Sequence, residues 1–230
     1  MPRLKMLLCA ITMAPSLGMA ADFLTPDQYG PAALLLPAPP ANDSEAGKAQ
    51  LAELQRIEKT RTPERLAQAR RDDMTQGPMM FVEVMGPGFD FAKLPATSKV
   101  LADAQAEGSK VTGAAKTLFK RDRPWIVDPA LDNCLRNQPP QSSYPSGHAT
   151  TAYSVGVILA HLVPSKGQAI LARSADFAES RLICGMHFRG DIIAGQVVGT
   201  TVAMELLNNP AFKAELDAAV LELRAAKITP

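Results

Sequence analysis

Two segments of this chain, 151–160 and 192–204, are apolar on nearly all sides. A helix that is hydrophobic all round has to be buried. Strand signals are weak throughout, so these segments predict the central helices of an α bundle. A membrane span would need ~20 apolar residues; Gln196 and Glu205 interrupt the second segment, and neither segment reaches that length. Gly195 and Gly199, four apart, let a neighbouring helix approach closely. The expected fold is all-α.

The boundary signals agree with a bundle. Asp43-Ser44 opens a helix to about Thr60, and Thr62-Pro63 gives an N-cap followed by proline, opening another to about Asp73. A short helix is expected over Met79 to Met85, then stretches at about 96–107 and 109–122. Pro124 sets a boundary, and 125–144 reads as a surface loop with three prolines. Helices are then expected from Pro145 to about Leu162, from a Ser165 cap to about Cys184, from about Phe188 to Leu207, and from Asn209-Pro210 to about Lys227.

The first twenty residues have a different character. Arg3 and Lys5 form a positive start, Met6 to Gly18 a short apolar run, and Gly18-Met19-Ala20 a small-residue end. That is the layout of a cleaved signal peptide, implying export to an oxidising, periplasmic compartment. The expected organisation is 1–20 signal peptide, 21–43 a Pro-rich extended arm, and 44–230 one helical domain. Cleavage removes two basic residues and no acidic one, taking the formal charge from +1 to −1. Nucleic-acid binding usually goes with a basic excess, and none is present. An anionic ligand must therefore be held by a few placed cations. Only Cys134 and Cys184 remain after cleavage, to be read as one disulfide or as two buried thiols.

Three clusters carry chemistry. Lys116 and Arg123-Pro124 are seven apart, nearly two helical turns, so both cations are expected on one face, with Arg123 at a helix end. Lys120 and Arg121 between them read as an ordinary solvated basic end. In Ser143-Tyr144-Pro145-Ser146-Gly147-His148, loop residues run into a helix start, where free N–H groups make an anion site. In the third cluster, Ser180-Arg181 precede Gly185, expected to end a helix left-handed, and then His187 and Asp191, four apart. A carboxylate there can fix the imidazole tautomer and turn the other nitrogen toward a pocket. This is triad logic with histidine as nucleophile. His161 reads as a bystander at a helix end.

In this order the three clusters resemble the type-2 phosphatidic acid phosphatase superfamily, shared by acid phosphatases, lipid phosphatases and vanadium haloperoxidases. Ser-Tyr-Pro-Ser-Gly-His and Ser-Arg-Leu-Ile-Cys-Gly resemble the exported class A acid phosphatases in particular. The resemblance implies hydrolysis of small phosphate monoesters. His187 would become phosphohistidine, with Asp191 as its holder and His148 as acid and then base. Lys116, Arg123, Ser146, Gly147 and Arg181 would bind phosphate. Such three-cation binding needs no metal or other cofactor, and no nucleic acid or stable membrane insertion is implied. Phosphotransfer could accompany hydrolysis, and the oligomeric state, a homo-oligomer included, stays open. Ser142-Ser143, Ala149 and Trp125 depart from the class A pattern, leaving the catalytic set intact but the pocket wall unspecified. Two other readings use the same pocket: a vanadate-dependent peroxidase and a periplasmic anion-binding protein. Retention of both histidines counts against mere binding.

Overall fold

The computed structural model describes residues 22–25, 36–75, 77–135 and 138–230, among which there is no strand. The proposed signal segment lies outside these residues, as does much of the arm. Ser44 caps α1 (Glu45–Thr60) by accepting from the Gly47 amide at 3.1 Å. Thr62 caps α2 (Pro63–Met74) in the same way, through Arg65. A 3-10 turn over Gly77–Phe81 leads into the short α3 (Val82–Met85). Then come α4 (Pro95–Phe119), the single turn α5 (Pro124–Val127), α6 (Gly147–Leu162), α7 (Gly167–Ile183), α8 (Arg189–Asn208) and α9 (Pro210–Ala225). Asn209 caps α9 through the Ala211 and Phe212 amides.

Helix α6 is the central rod, packed against α8, α7 and α4. The 151–160 and 192–204 segments do form core helices, and the glycines explain how close they come. A Cβ at Gly195 would lie 2.6 Å from the Ser146 carbonyl oxygen. One at Gly199 would strike the Thr150 carbonyl and the Tyr153 Cβ. Helix α8 has the expected length, and at 20 residues it also has the length and apolarity of a spanning helix. What places it in the core is this packing, not its length. Its outer face leaves Ile193, Val197 and Met204 exposed.

Four boundaries differ from expectation. Helix α4 runs unbroken through Gly108, because tertiary packing overrides glycine's poor propensity. A Cβ there would press on Thr150 and Ser154 of α6. Ser165 lies in a 3-10 turn, Pro164–Lys166, and does not cap α7. Helix α6 starts at Gly147, not Pro145: Ser146 is its N-cap, and the Tyr144–Pro145 bond is cis. Finally, α4 stops at Phe119 with Lys120 left-handed at φ 45°, so Arg123 is not on that helix. It is the extended N-cap residue of α5.

The described part of the arm joins the core. Phe23 packs edge-on against Phe212 with ring centres 5.2 Å apart, and its amide donates to Glu107. Tyr144 Oη donates to the Pro37 carbonyl at 2.8 Å.

Candidate active site

The C-terminal ends of α2, α4 and α7 meet the N-terminal ends of α5, α6 and α8 at one pole of the bundle. Arg123 donates its amide to the Pro140 carbonyl, and Ser143 donates its amide to that of Arg121, so the segment after α4 pairs with the loop before α6. The Ser146 amide donates to the Asp191 carbonyl at 2.9 Å, fastening the start of α6 to the start of α8. Gly185, at φ 61°, turns the chain from α7 into the His187 segment, as expected of a glycine there. Cys134 and Cys184 form a disulfide with Cα atoms 5.0 Å apart. It ties the loop after α5 to the residue before that turn.

His187 is buried at 1% exposure. Its Nε2 lies 2.9 Å from Arg123 Nη1, an N–H donor, so Nε2 must carry the lone pair. Nδ1 then holds the hydrogen, and it faces Asp191 Oδ2 at 3.4 Å. That contact is too long and poorly aligned for a hydrogen bond, and Nδ1 has no other partner among the described residues. Catalytic hydrogen bonds are often loose before substrate binds. Burial, then the charges of Arg123, Lys116 and Arg181, hold the imidazole well below its usual pKa. Together they outweigh the nearby carboxylate, so the ring is neutral.

The cations converge although no single helix face carries them. Lys116 Nζ donates to the Ser142 carbonyl at 2.7 Å, and Arg123 Nη2 to the Ser142 hydroxyl at 3.0 Å. The expectation of a shared α4 face is therefore corrected: the loop serine, not the seven-residue spacing, joins them. Burial first, and Arg123 second, lower the Lys116 ammonium to about 7, with Asp191 pulling the other way. Arg181, 1% exposed, pairs with Asp73. Its Nε finds no acceptor among the described residues. A buried donor without an acceptor is rare and asks for a ligand.

His148 sits in the first turn of α6, stacked on Phe177 at 5.8 Å, with Nε2 3.4 Å from the Asp73 carbonyl. Burial, and Arg181 next, lower it to about 3. Gly147 and His148 also line a cavity of about 70 Å³ with Thr75, Gly77, Met80, Gln105, Thr151 and Phe177. Ser146 Oγ accepts from the Ala149 amide at 3.4 Å, and its own hydrogen is free to donate to an anion. His161 is exposed and apart from all of this.

Two residues were missed by sequence reasoning. Asp73, at the end of α2, holds Arg181; two acids in a helix's last turn oppose its dipole, which was the available signal. Arg121, read as solvated, is 5% exposed and pairs with Asp191 at 2.6 Å. Lys116, Arg121, Arg123 and Arg181 against Asp73 and Asp191 leave the site two positive charges, the complement of a phosphate dianion.

A family model described as the PAP2 superfamily matches residues 99–213. The chain belongs to that superfamily. The match takes in Lys116 through Asp191, all three clusters. Among curated proteins, the chain is 33% identical over 146 residues to an acid phosphatase of Zymomonas mobilis, covering 62% of this chain and 55% of that one. It is 28% identical over 217 residues to a non-specific acid phosphatase of Salmonella typhi, covering 90% of this chain and 83% of that one. A non-specific acid phosphatase of Providencia stuartii is 29% identical over 200 residues. The match thus spans about half the length of the first relative and four fifths of the others.

Proposed function

We propose that this protein is an exported, class A-type acid phosphatase that hydrolyses small phosphate monoesters through a phosphohistidine at His187. The observation that carries this reading is the neutral His187 ring. Its lone-pair nitrogen is turned to Arg123, inside a cluster of cations with one histidine opposite. Superfamily membership and the shared name of the relatives support the phosphatase assignment.

Phosphate sits between Lys116, Arg123 and Arg181, with the Ser146 hydroxyl and the first amides of α6 completing the donor set. The phosphate oxygens take over the Arg123 Nη1 hydrogen, which frees the Nε2 lone pair; His187 Nε2 then attacks phosphorus in line, the P–N bond forms, and the ester P–O bond breaks. The ring becomes a phosphoimidazolium that keeps its Nδ1 hydrogen, and Asp191 balances the charge. His148 gives its proton to the departing alkoxide. It then takes one from water as that oxygen attacks phosphorus, the P–N bond breaks, and both histidines return to their first state. A histidine held at about 3 in the empty pocket needs the substrate's negative charge before it holds a proton, so His148 is armed by binding itself.

No group of three or more His, Cys, Asp or Glu among the described residues could hold a metal. Hydrolysis of p-nitrophenyl phosphate is therefore expected to survive excess EDTA, with acid-labile, base-stable phosphate trapped on histidine after quenching. Activity lost to EDTA and restored by a divalent ion would overturn the metal-free clamp. Vanadate, which mimics the five-coordinate transition state, should inhibit well below the substrate KM.

A further inference from the structure

Arg121 takes no part in the steps above, yet it is a buried charge directly beside them. Its side chain is 3% exposed and donates from Nη1 to Asp191 Oδ1 at 2.6 Å. Nη2 donates to Gln50 Oε1 of α1 at 3.2 Å, and the guanidinium lies 4.2 Å over the Phe188 ring. Gln50 Oε1 also accepts from the Gly190 amide, so α1 grips both Arg121 and the start of α8.

Stability does not explain this pair. A buried ion pair is often no better for stability than an apolar pair of the same size, because desolvation cancels the attraction. What the pair does is allocate the oxygens of Asp191. The Arg121 side chain occupies Oδ1. Its carbonyl holds the Ser143 backbone at 3.1 Å, and the Ser143 hydroxyl donates to Oδ2 at 2.6 Å. Oδ2 also accepts from the Phe188 amide at 2.8 Å and faces His187 Nδ1. One residue therefore governs both oxygens, one through its side chain and one through its backbone.

We infer that Arg121 is a positioning residue of the reaction: by pinning Asp191 Oδ1 it keeps Oδ2 aimed at His187 Nδ1, so that the carboxylate reinforces the tautomer that Arg123 selects at Nε2. This rests on the phosphohistidine reading. The charged and titratable groups around Asp191 are Lys116 from the last turn of α4, Arg121 just after it, Arg123 before α5, Tyr144 from the loop, and His187. Burial pushes the Asp191 carboxyl up, and Arg121 is the largest influence pulling it down. Without Arg121 the carboxyl gains a proton at higher pH.

The test is Arg121→Met and Arg121→Lys in the full chain. In Arg121→Met, kcat should fall about 10–100-fold, as when the partner that orients a histidine's own partner is lost. KM should stay within a few-fold, because no phosphate ligand is touched. The acid limb of kcat should move to higher pH, and Arg121→Lys should recover most of both. With ¹⁵N-labelled histidine, two-bond ¹H–¹⁵N spectra without substrate should show His187 as the Nδ1–H tautomer in the parent and a mixture in Arg121→Met. Unchanged kcat, acid limb and tautomer in a folded Arg121→Met would overturn the inference. If that variant does not fold, Arg121→Gln decides: it removes the charge but keeps a side-chain N–H, kcat should fall and the acid limb should rise, and a Gln variant with both unchanged would overturn the inference. A parent chain without phosphatase activity would sink the functional reading, while the tautomer comparison would still judge Arg121.

Discussion

The two histidines of this site live in opposite kinds of surroundings. His187 is enclosed: an arginine meets one nitrogen, a carboxylate faces the other, and the carboxylate is itself held on both oxygens. His148 is half-buried, stacked on one aromatic ring, and among the described residues its one hydrogen-bonding contact is a helix-end carbonyl at 3.4 Å beside a cavity. In the proposed mechanism His187 is the nucleophile and needs a fixed lone pair, which rigid, overdetermined surroundings would supply. His148, proposed to gain and lose a proton within a cycle, has surroundings that leave its charge to be set by whatever binds. The same cations depress both rings, but only His148 has room to respond.

Removing the rigid member should do most damage. His187→Ala is expected to lower kcat by on the order of 10⁴-fold or more on every substrate, as losing a nucleophile does. Near-normal rates in that variant would erase the distinction. His148→Ala should cost less and cost unevenly. Alkyl and nucleoside esters need the leaving-group proton and should lose about 10²–10⁴-fold, whereas an aryl ester with an acidic phenol should keep more of its first step. Phosphohistidine should accumulate in this variant, since water activation is impaired. Phosphate trapped on His148 instead would reverse the roles.

How much of this was legible follows the same divide. The positions of His187, Asp191, His148, Arg181 and Ser146 at one pole follow from local devices that the sequence displays. Gly185 turns the chain, Ser146 caps α6, and a four-residue step brings Asp191 to His187. Arg123 arrives at the site by another route, through Ser142 and the residue after a left-handed stop. Arg121 and Asp73 could not be read from local pattern. Their partners are 70 and 108 residues away, and periodicity cannot say which of several basic residues turns inward. The start of α6 was misplaced by two residues, because proline is welcome at a first helical turn and equally at home in the cis turn just before one.

The smallest expected effect concerns the group that both histidines share. Lys116 lowers the pKa of each, and burial holds its own near 7. Below that pH the ammonium is charged and the pocket has its full attraction for a dianion; as pH rises through it, that charge is lost in the free protein. One unit higher, roughly a tenth of the molecules keep it, so kcat/KM should fall about tenfold between pH 6 and 8. The substrate does not supply this limb, since a monoester's second ionisation, near ~6, makes more dianion above that pH. Lys116→Arg keeps a permanent charge, although the guanidinium fork will not overlay the ammonium and the peak rate should drop. Its alkaline limb should nonetheless move upward by at least one pH unit. A limb that stays near 7 in Lys116→Arg would assign it to another group. It would also remove the physical reason to expect a site built from cations to work better below neutral pH than above it.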